Sequence, residues 1–102
     1  MNVAEFHENI DQIWNSIEEQ LEQQDIDVDC ERQGAVFNIT FNDGNQIVIN
    51  KQEAMLELWL ASRLGGLHFA YRDGDWLNHD NLRFWDCLAQ AMAFYGEPVS
   101  FA

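Results

Sequence analysis

The spacing of apolar residues near the amino terminus is the feature that most constrains the fold. From about Val3 to Gln24 they recur at steps of three and four residues, which predicts one stripe of an amphipathic helix. The stripe consists of Phe6, Ile10, Ile13, Trp14, Ile17 and Leu21. Because a helix with such a stripe must bury it, the chain needs a second layer of secondary structure.

Acidic residues of this predicted helix fall on the face opposite the apolar stripe. They are Glu5, Glu8, Asp11, Glu18, Glu19 and Glu22, with His7 at the border between the two faces. Three of these acids lie at the carboxyl end of the helix, where the helix dipole disfavours anions. Two interpretations of the acidic face therefore have equal weight. It is an electrostatic docking or cation-binding site, or it is a solvated face that only keeps the protein in solution.

Alternating patterns after the first helix predict an antiparallel sheet. Residues 25–31 alternate acids with Ile26, Val28 and Cys30, as in an exposed edge strand. Residues 35–41 and 46–50 predict a hairpin. Further strands are predicted at 55–61, at 67–71 and around Trp76 and Leu77.

The alternation also predicts which strand residues face the core. The later strands are expected to bury Leu56, Leu58, Leu60, Leu67, Phe69 and Tyr71. This register leaves Trp59 and His68 on the other face of the sheet. Trp59 is interpreted there as an ordinary sheet residue or, with similar weight, as a partner-binding anchor.

A second helix is predicted from Asn81 to about Tyr95, with Asp80 as its N-cap and Gly96 and Pro98 ending it. Its core-facing stripe is expected to contain Phe84, Trp85, Leu88, Met92 and Tyr95. The predicted fold class is α+β, with one domain at 1–102. It is a two-layer α-β sandwich in which two helices pack on one face of a five- or six-stranded antiparallel sheet.

The charge excludes one broad class of partner. Eighteen acids against five bases give a net charge of −13 over 102 residues, and the basic residues are scattered singly. Since phosphate backbones are bound by clustered Lys and Arg, we expect no nucleic-acid partner. Cations or basic protein surfaces are the expected partners.

The sequence also favours a cytoplasmic protein without membrane association. No apolar run approaches the roughly 20 residues that span a bilayer, and no signal-peptide pattern is present at the amino terminus. Cys30 and Cys87 lie far apart and lack Cys-x-x-Cys spacing, which argues against a disulfide framework or a zinc site.

No catalytic motif is recognisable, and we predict that the protein is not an enzyme. The aspartates at 25, 27 and 29 resemble the start of a calcium loop, but Cys30 and Val36 occupy the positions that such a loop fills with Gly and Glu. What remains is an open array of carboxylates. Such an array suits weak, unselective binding of iron, manganese, magnesium or calcium.

Several segments together resemble the bacterial frataxin-like proteins over essentially the whole chain. They are, in chain order, Glu5-Phe6-His7, Asp29-Cys30-Glu31, Asn50-Lys51-Gln52-Glu53, Leu58-Trp59-Leu60-Ala61, Gly65-Gly66 with His68-Phe69, Gly74-Asp75-Trp76 and Phe84-Trp85-Asp86. The resemblance implies an α-β sandwich that binds iron and regulates iron-sulfur cluster assembly.

The resemblance also implies site residues, which we call the acidic ridge. The metal-binding residues are His7, Glu8, Asp11, Glu18, Glu19, Glu22, Asp25, Asp27, Asp29 and Glu31. Iron, ferrous or ferric, would bind weakly at these surface carboxylates, with other divalent cations as substitutes.

The implied partners are the cysteine desulfurase and the iron-sulfur scaffold protein. Glu18, Glu19 and Glu22 match the acids that contact the desulfurase, and the face with Trp59 and His68 would meet the desulfurase or scaffold assembly. The protein would be a monomer that iron could assemble into oligomers. The alternative is a metal-independent acidic protein that sequesters a basic partner, as an inhibitor or a nucleic-acid mimic.

Overall fold

The computed structural model describes residues 1–102 and contains two helices and one six-stranded sheet. The elements are α1 (Val3–Gln23), β1 (Val28–Gln33), β2 (Val36–Phe41), β3 (Gln46–Gln52), a 3-10 turn (Glu53–Met55), β4 (Glu57–Ser62), β5 (Gly65–Arg72), β6 (Asp75–Leu77) and α2 (Phe84–Phe94). The strands lie in sequence order and every pair is antiparallel, so β1 and β6 form the edges. This confirms the predicted α+β sandwich. Neither helix has the length and apolarity that crossing a membrane requires.

The first helix starts at a reciprocal cap and buries the predicted stripe. The Asn2 side-chain oxygen accepts from the Glu5 backbone N–H at 2.8 Å, and the Asn2 N–H donates to the Glu5 carboxylate at 3.0 Å. All six apolar residues of the predicted stripe are buried. The cap therefore fixes where α1 begins, and the stripe fixes how it rotates against the sheet.

The core lies between the two helices and one face of the sheet. Cross-strand pairs such as Ile49 with Leu60 and Leu58 with Phe69 place apolar residues of adjacent strands on that face. Full burial of each such side chain contributes about 1.5–3 kcal/mol. In the edge strand, Cys30 pairs with Ile39 and thus faces the helices, which points its neighbours Asp29 and Glu31 to the outer face.

The first strand begins at Val28, not at Asp25 as predicted, because the backbone of this segment ends α1. Asp25 adopts a left-handed conformation with φ of 53°. Its N–H bonds to the Glu22 carbonyl at 3.1 Å, and the Ile26 N–H bonds to the Leu21 carbonyl at 3.0 Å. This is a Schellman cap formed without glycine.

The prediction was also wrong at two places in the central strands. Met55 and Leu56 belong to the 3-10 turn and its cap, where Leu56 has a φ of 52° and Met55 is exposed. Tyr71 is 43% exposed, although it was predicted to be buried. The pairing of Glu57 with Ala70 is the last between β4 and β5, so Tyr71 extends beyond the cover of β4.

The second helix begins at Phe84, with Arg83 as its N-cap, and not at Asn81 after Asp80. Buried Asn78 organises the preceding residues, since its side-chain oxygen accepts from the Asp80 and Leu82 N–H groups, each at 2.9 Å. These bonds hold the chain in a turn where the helix was predicted. Among the predicted stripe of α2, Trp85 and Tyr95 are only half-buried.

Candidate partner- and metal-binding surfaces

The α1 part of the acidic ridge divides into two groups. Glu8, Glu19 and Glu22 are exposed and have no ion pair. His7, Asp11 and Glu18 lie on the flank of α1 that contacts side chains from the sheet and its 3-10 turn. The predicted single acidic face therefore has an unpaired outer part and a paired flank.

Two of the five basic residues, Arg32 and Lys51, pair with acids of this flank and act as internal counterions. The Arg32 guanidinium donates to Glu18 Oε1 and to Asn15 Oδ1, both at 2.6 Å. The Lys51 ammonium donates to Asp11 Oδ1 at 2.7 Å. His7 Nε2 lies 2.9 Å from Glu53 Oε2. Three of the predicted metal ligands in α1 thus already have partners from the sheet or its 3-10 turn.

Trp14 lies under both counterions. The Lys51 Nζ is 4.9 Å from the Trp14 ring centroid, and the Arg32 Cζ is 5.8 Å from the centroids of both Trp14 and Phe37. The Lys51 side chain is only 9% exposed. A cation held over an aromatic ring and away from water is screened less than one at an open surface. Lys51 is therefore shielded from water within its pair, whereas Arg32, with 31% of its side chain exposed, is shielded less.

The acids around β1 point in different directions. Asp25 belongs to the cap of α1, and Asp27 accepts a hydrogen bond from the Asn42 side chain at 2.7 Å. Asp29 and Glu31 pair with Thr40 and Asn38 of β2 and lie on the outer face of the sheet. The acidic ridge thus continues from α1, past the free edge of β1, onto the outer face of the sheet.

No group of three or more His, Cys, Asp or Glu side chains is arranged to hold a metal ion. Burial raises the pKa of Cys30 to about 11, with Glu18 and Asp29 raising it further and Arg32 opposing them. Burial, followed by the Asp86 charge, also raises the pKa of Cys87. Both thiols are therefore neutral near pH 7 and poor ligands. The donor set fits open carboxylate binding of a hard cation and does not fit a closed site.

The outer face of the sheet has a different organisation, based on an aromatic stack. Trp59 and His68 are cross-strand partners whose rings lie parallel, with centroids 4.0 Å apart and an angle of 3°. Trp59 Nε1 donates to Glu57 Oε1 at 2.9 Å, and the same oxygen is 3.9 Å from His68 Nδ1. Glu57 therefore fixes the orientation of the stack.

Beside the stack lies a cavity of about 360 Å³ on the same side of the sheet. It is lined by Glu57, His68, Ala70, Arg72, Leu77, Asn78 and His79. Strand alternation predicts that Glu57 shares this face with Trp59, but the predicted partner-binding residues did not include it. Its hydrogen bond with the Trp59 indole is visible only in the structure.

Comparisons with known proteins agree along the whole chain. The model of the frataxin-like domain matches residues 1–96. The iron-sulfur cluster assembly protein CyaY of Mannheimia succiniciproducens is 76% identical over 102 residues, covering 100% of both chains.

Two solved structures share the fold. Frataxin from Psychromonas ingrahamii superposes with a TM-score of 0.91 at 31% identity, covering 100% of this chain and 99% of the other. Trimeric frataxin from the yeast Saccharomyces cerevisiae, complexed with ferrous iron, superposes with a TM-score of 0.69 at 29% identity, covering 88% and 83%.

Proposed function

The chain belongs to the frataxin-like family, and from this premise we propose that it acts in iron-sulfur cluster assembly as a non-enzymatic regulator. The acidic ridge docks on a basic surface of the cysteine desulfurase, and the Trp59 face meets the desulfurase or its scaffold protein. Ferrous iron binds weakly along the same ridge and modulates the docking. The prediction that the chain is not an enzyme agrees with its family.

The observation that carries this proposal is the unpaired part of the acidic ridge. Glu19 and Glu22 have no cationic partner, because the nearby cations Arg32 and Lys51 pair with Glu18 and Asp11. They occupy the last two turns of α1, where the helix dipole adds to the unfavourable potential. A basic protein surface relieves this repulsion, so the ridge steers such a partner and fixes its orientation.

Glu18 links the internal and external interactions of the ridge. Its carboxylate accepts from Arg32, and its side chain is still 41% exposed. A Lys or Arg of the partner can share this carboxylate from the solvent side while Arg32 remains in place. Docking therefore requires no rearrangement of α1.

Calorimetric titration of a purified bacterial cysteine desulfurase tests the docking. The variant Glu18→Lys, Glu19→Lys, Glu22→Lys is expected to bind at least about 100-fold more weakly than the unmodified protein at low salt. Binding of the unmodified protein should weaken about tenfold between low and moderate salt, because exposed charges are screened over about 8 Å at physiological ionic strength.

A matched variant controls for net charge. Asp80→Lys, Asp86→Lys, Glu97→Lys makes the same charge change in the turn before α2, in α2 and beyond it. It should bind nearly as tightly as the unmodified protein, provided that circular dichroism shows both variants folded. Equal losses in the two triple variants, or docking that ignores salt, would reject a ridge-specific mechanism.

The iron part of the proposal is tested on the protein alone. Adding ferrous iron without oxygen should broaden amide NMR signals of α1 and of residues 25–31 and leave those of α2 unchanged. Broadening centred on β3 and β4 would contradict binding at the ridge. Size-exclusion chromatography with and without iron then tests the proposed monomer and its iron-induced oligomers.

The iron titration and a DNA competition assay separate this proposal from a metal-independent acidic inhibitor or nucleic-acid mimic. Such a protein would compete with DNA for a basic partner and give no response to iron. We place the protein in the cytoplasm, where reducing conditions keep thiols such as those of Cys30 and Cys87 free.

A further inference from the structure

An apolar groove lies between the carboxyl end of α1 and the edge strand β1. Its floor consists of Leu21, Ile26, Val28 and Cys30, and its rim carries the carboxylates of Glu18 and Glu22. The groove encloses about 480 Å³, within the range of about 300–1,000 Å³ that is typical of protein binding pockets.

The groove arises from two features of the backbone. The Schellman cap brings Ile26 against Leu21, since the Ile26 N–H bonds to the Leu21 carbonyl at 3.0 Å. Val28 and Cys30 face the helices but belong to the edge strand, so no further strand covers them. Both are only half-buried, whereas their partners Phe41 and Ile39 in β2 are buried.

The carboxyl-terminal residues of the structure lie on the other flank of α1. The Ala102 N–H donates to Gln20 Oε1 at 2.8 Å, and Ser100 exchanges hydrogen bonds with the Gln24 side chain at 2.9 and 3.1 Å. Phe101 packs on Trp85 with ring centroids 5.0 Å apart. This segment therefore fills the side of α1 near α2 and leaves the groove open.

The chemistry of the rim selects the occupant. Two carboxylates repel an anion, and no group of three ligands is present to hold a metal ion. Arg32 shows what the rim accepts, because its side chain covers the rings of Trp14 and Phe37 while its guanidinium pairs with Glu18. An apolar group with positive charges beside it would pack on the floor of the groove and pair with the carboxylates of its rim.

We propose that this groove receives one apolar side chain that projects from a Lys- or Arg-rich surface of a protein partner. The inference rests on the proposed docking and adds an apolar anchor to it. An apolar centre inside a charged rim is the usual arrangement of an interface hot spot. The acids then govern the approach of the partner, and the groove governs which basic surface stays bound.

Two blocked pentapeptides test the groove without the desulfurase. They differ only in the central residue, a leucine or a serine between two pairs of lysines. In NMR titrations the leucine peptide should bind about tenfold tighter and shift the amide signals of Leu21, Ile26, Val28 and Cys30. Equal affinities, or leucine-specific shifts elsewhere, would overturn the inference whatever the desulfurase does.

A variant tests the same groove in the desulfurase complex. Val28→Thr keeps the shape of a half-buried strand residue and should weaken binding about fivefold, with an unchanged salt slope. The control is Val99→Thr, which makes the same change at a half-buried site in the carboxyl-terminal segment and should leave affinity unchanged.

The outcomes separate the groove from the docking proposal. A normal complex with Val28→Thr, together with loss of binding in the ridge triple variant, rejects the groove and retains the docking. No desulfurase binding by the unmodified protein, with a clear leucine preference in the peptides, retains the groove and rejects the desulfurase as its partner. Thermal unfolding of each variant confirms that it is folded.

Discussion

The acidic ridge and the Trp59 face of the sheet hold their side chains by opposite means. On the ridge, Glu18 and Asp11 are held by cations from distant strands, at 2.6 and 2.7 Å, and their neighbours remain unpaired. On the sheet face, a parallel aromatic stack is fixed by one hydrogen bond from Trp59 to Glu57. One surface is organised by charge and the other by shape.

This difference predicts how each surface responds to its environment. Interactions between exposed charges weaken with salt over about 8 Å at physiological ionic strength, whereas burial of an aromatic ring hardly depends on salt. A partner that contacts both surfaces would approach through the ridge and be retained by the sheet face. If the two surfaces act independently, a substitution in one should leave the response of the other to salt unchanged.

Among single substitutions, the largest effect is expected for Trp59→Ala. Removing the ring deletes the stack with His68 and an anchor of the type that dominates interfaces, so affinity for the desulfurase–scaffold assembly should fall about 30-fold. The slope of log affinity against log salt, measured by calorimetry, should stay unchanged because no charge is lost. A change of slope together with affinity would show that the two surfaces act as one.

The thiol of Cys30 tests whether the floor of the groove disfavours a negative charge. Because burial raises its pKa to about 11, alkylation at pH 8, followed by peptide mass spectrometry, should be about tenfold slower than for free cysteine. The stabilisation linked to the neutral thiol is present below pH 9 and is lost as the pH rises through 11. Cys30→Ser should therefore lose less stability over that interval. A rate equal to that of free cysteine would show that the floor of the groove does not disfavour the thiolate.

The stack itself is tested by His68→Ala and His68→Phe. Loss of the ring that lies 4.0 Å from Trp59 leaves the indole less ordered, so His68→Ala should weaken binding to the same assembly about fivefold. His68→Phe retains a flat ring and should recover most of this loss. Failure of phenylalanine to rescue binding would point to the imidazole nitrogens and away from shape.

The smallest effect is expected for Arg32→Gln. Glu18 then loses its internal counterion, so affinity for a basic partner should rise about threefold at low salt and converge with that of the unmodified protein at high salt. The control Arg63→Gln changes net charge equally in the β4–β5 turn. Equal gains in both variants would show that total charge matters and the position of Arg32 does not.

Much of the fold could be predicted because periodicity is a local property. The apolar stripe of α1 and the alternation in β2 and β3 agree with the structure, and alternation correctly placed Trp59 and His68 on one face. The predicted boundaries of the elements were wrong where hydrogen bonds to the backbone set the point at which an element begins or ends. The cap at Asp25 and the turn organised by Asn78 replaced a predicted strand start and a predicted helix start.

The acidic ridge shows the limit of sequence analysis for the candidate site. The identity of the acidic residues, their helical spacing and the large net charge can all be read from the amino-acid pattern. Which of these acids are neutralised depends on the fold. Arg32 reaches Glu18 across 14 residues, and Lys51 reaches Asp11 across 40, because strand register turns both cations toward α1. Register depends on pairing between distant segments, and a pattern within one segment does not contain it.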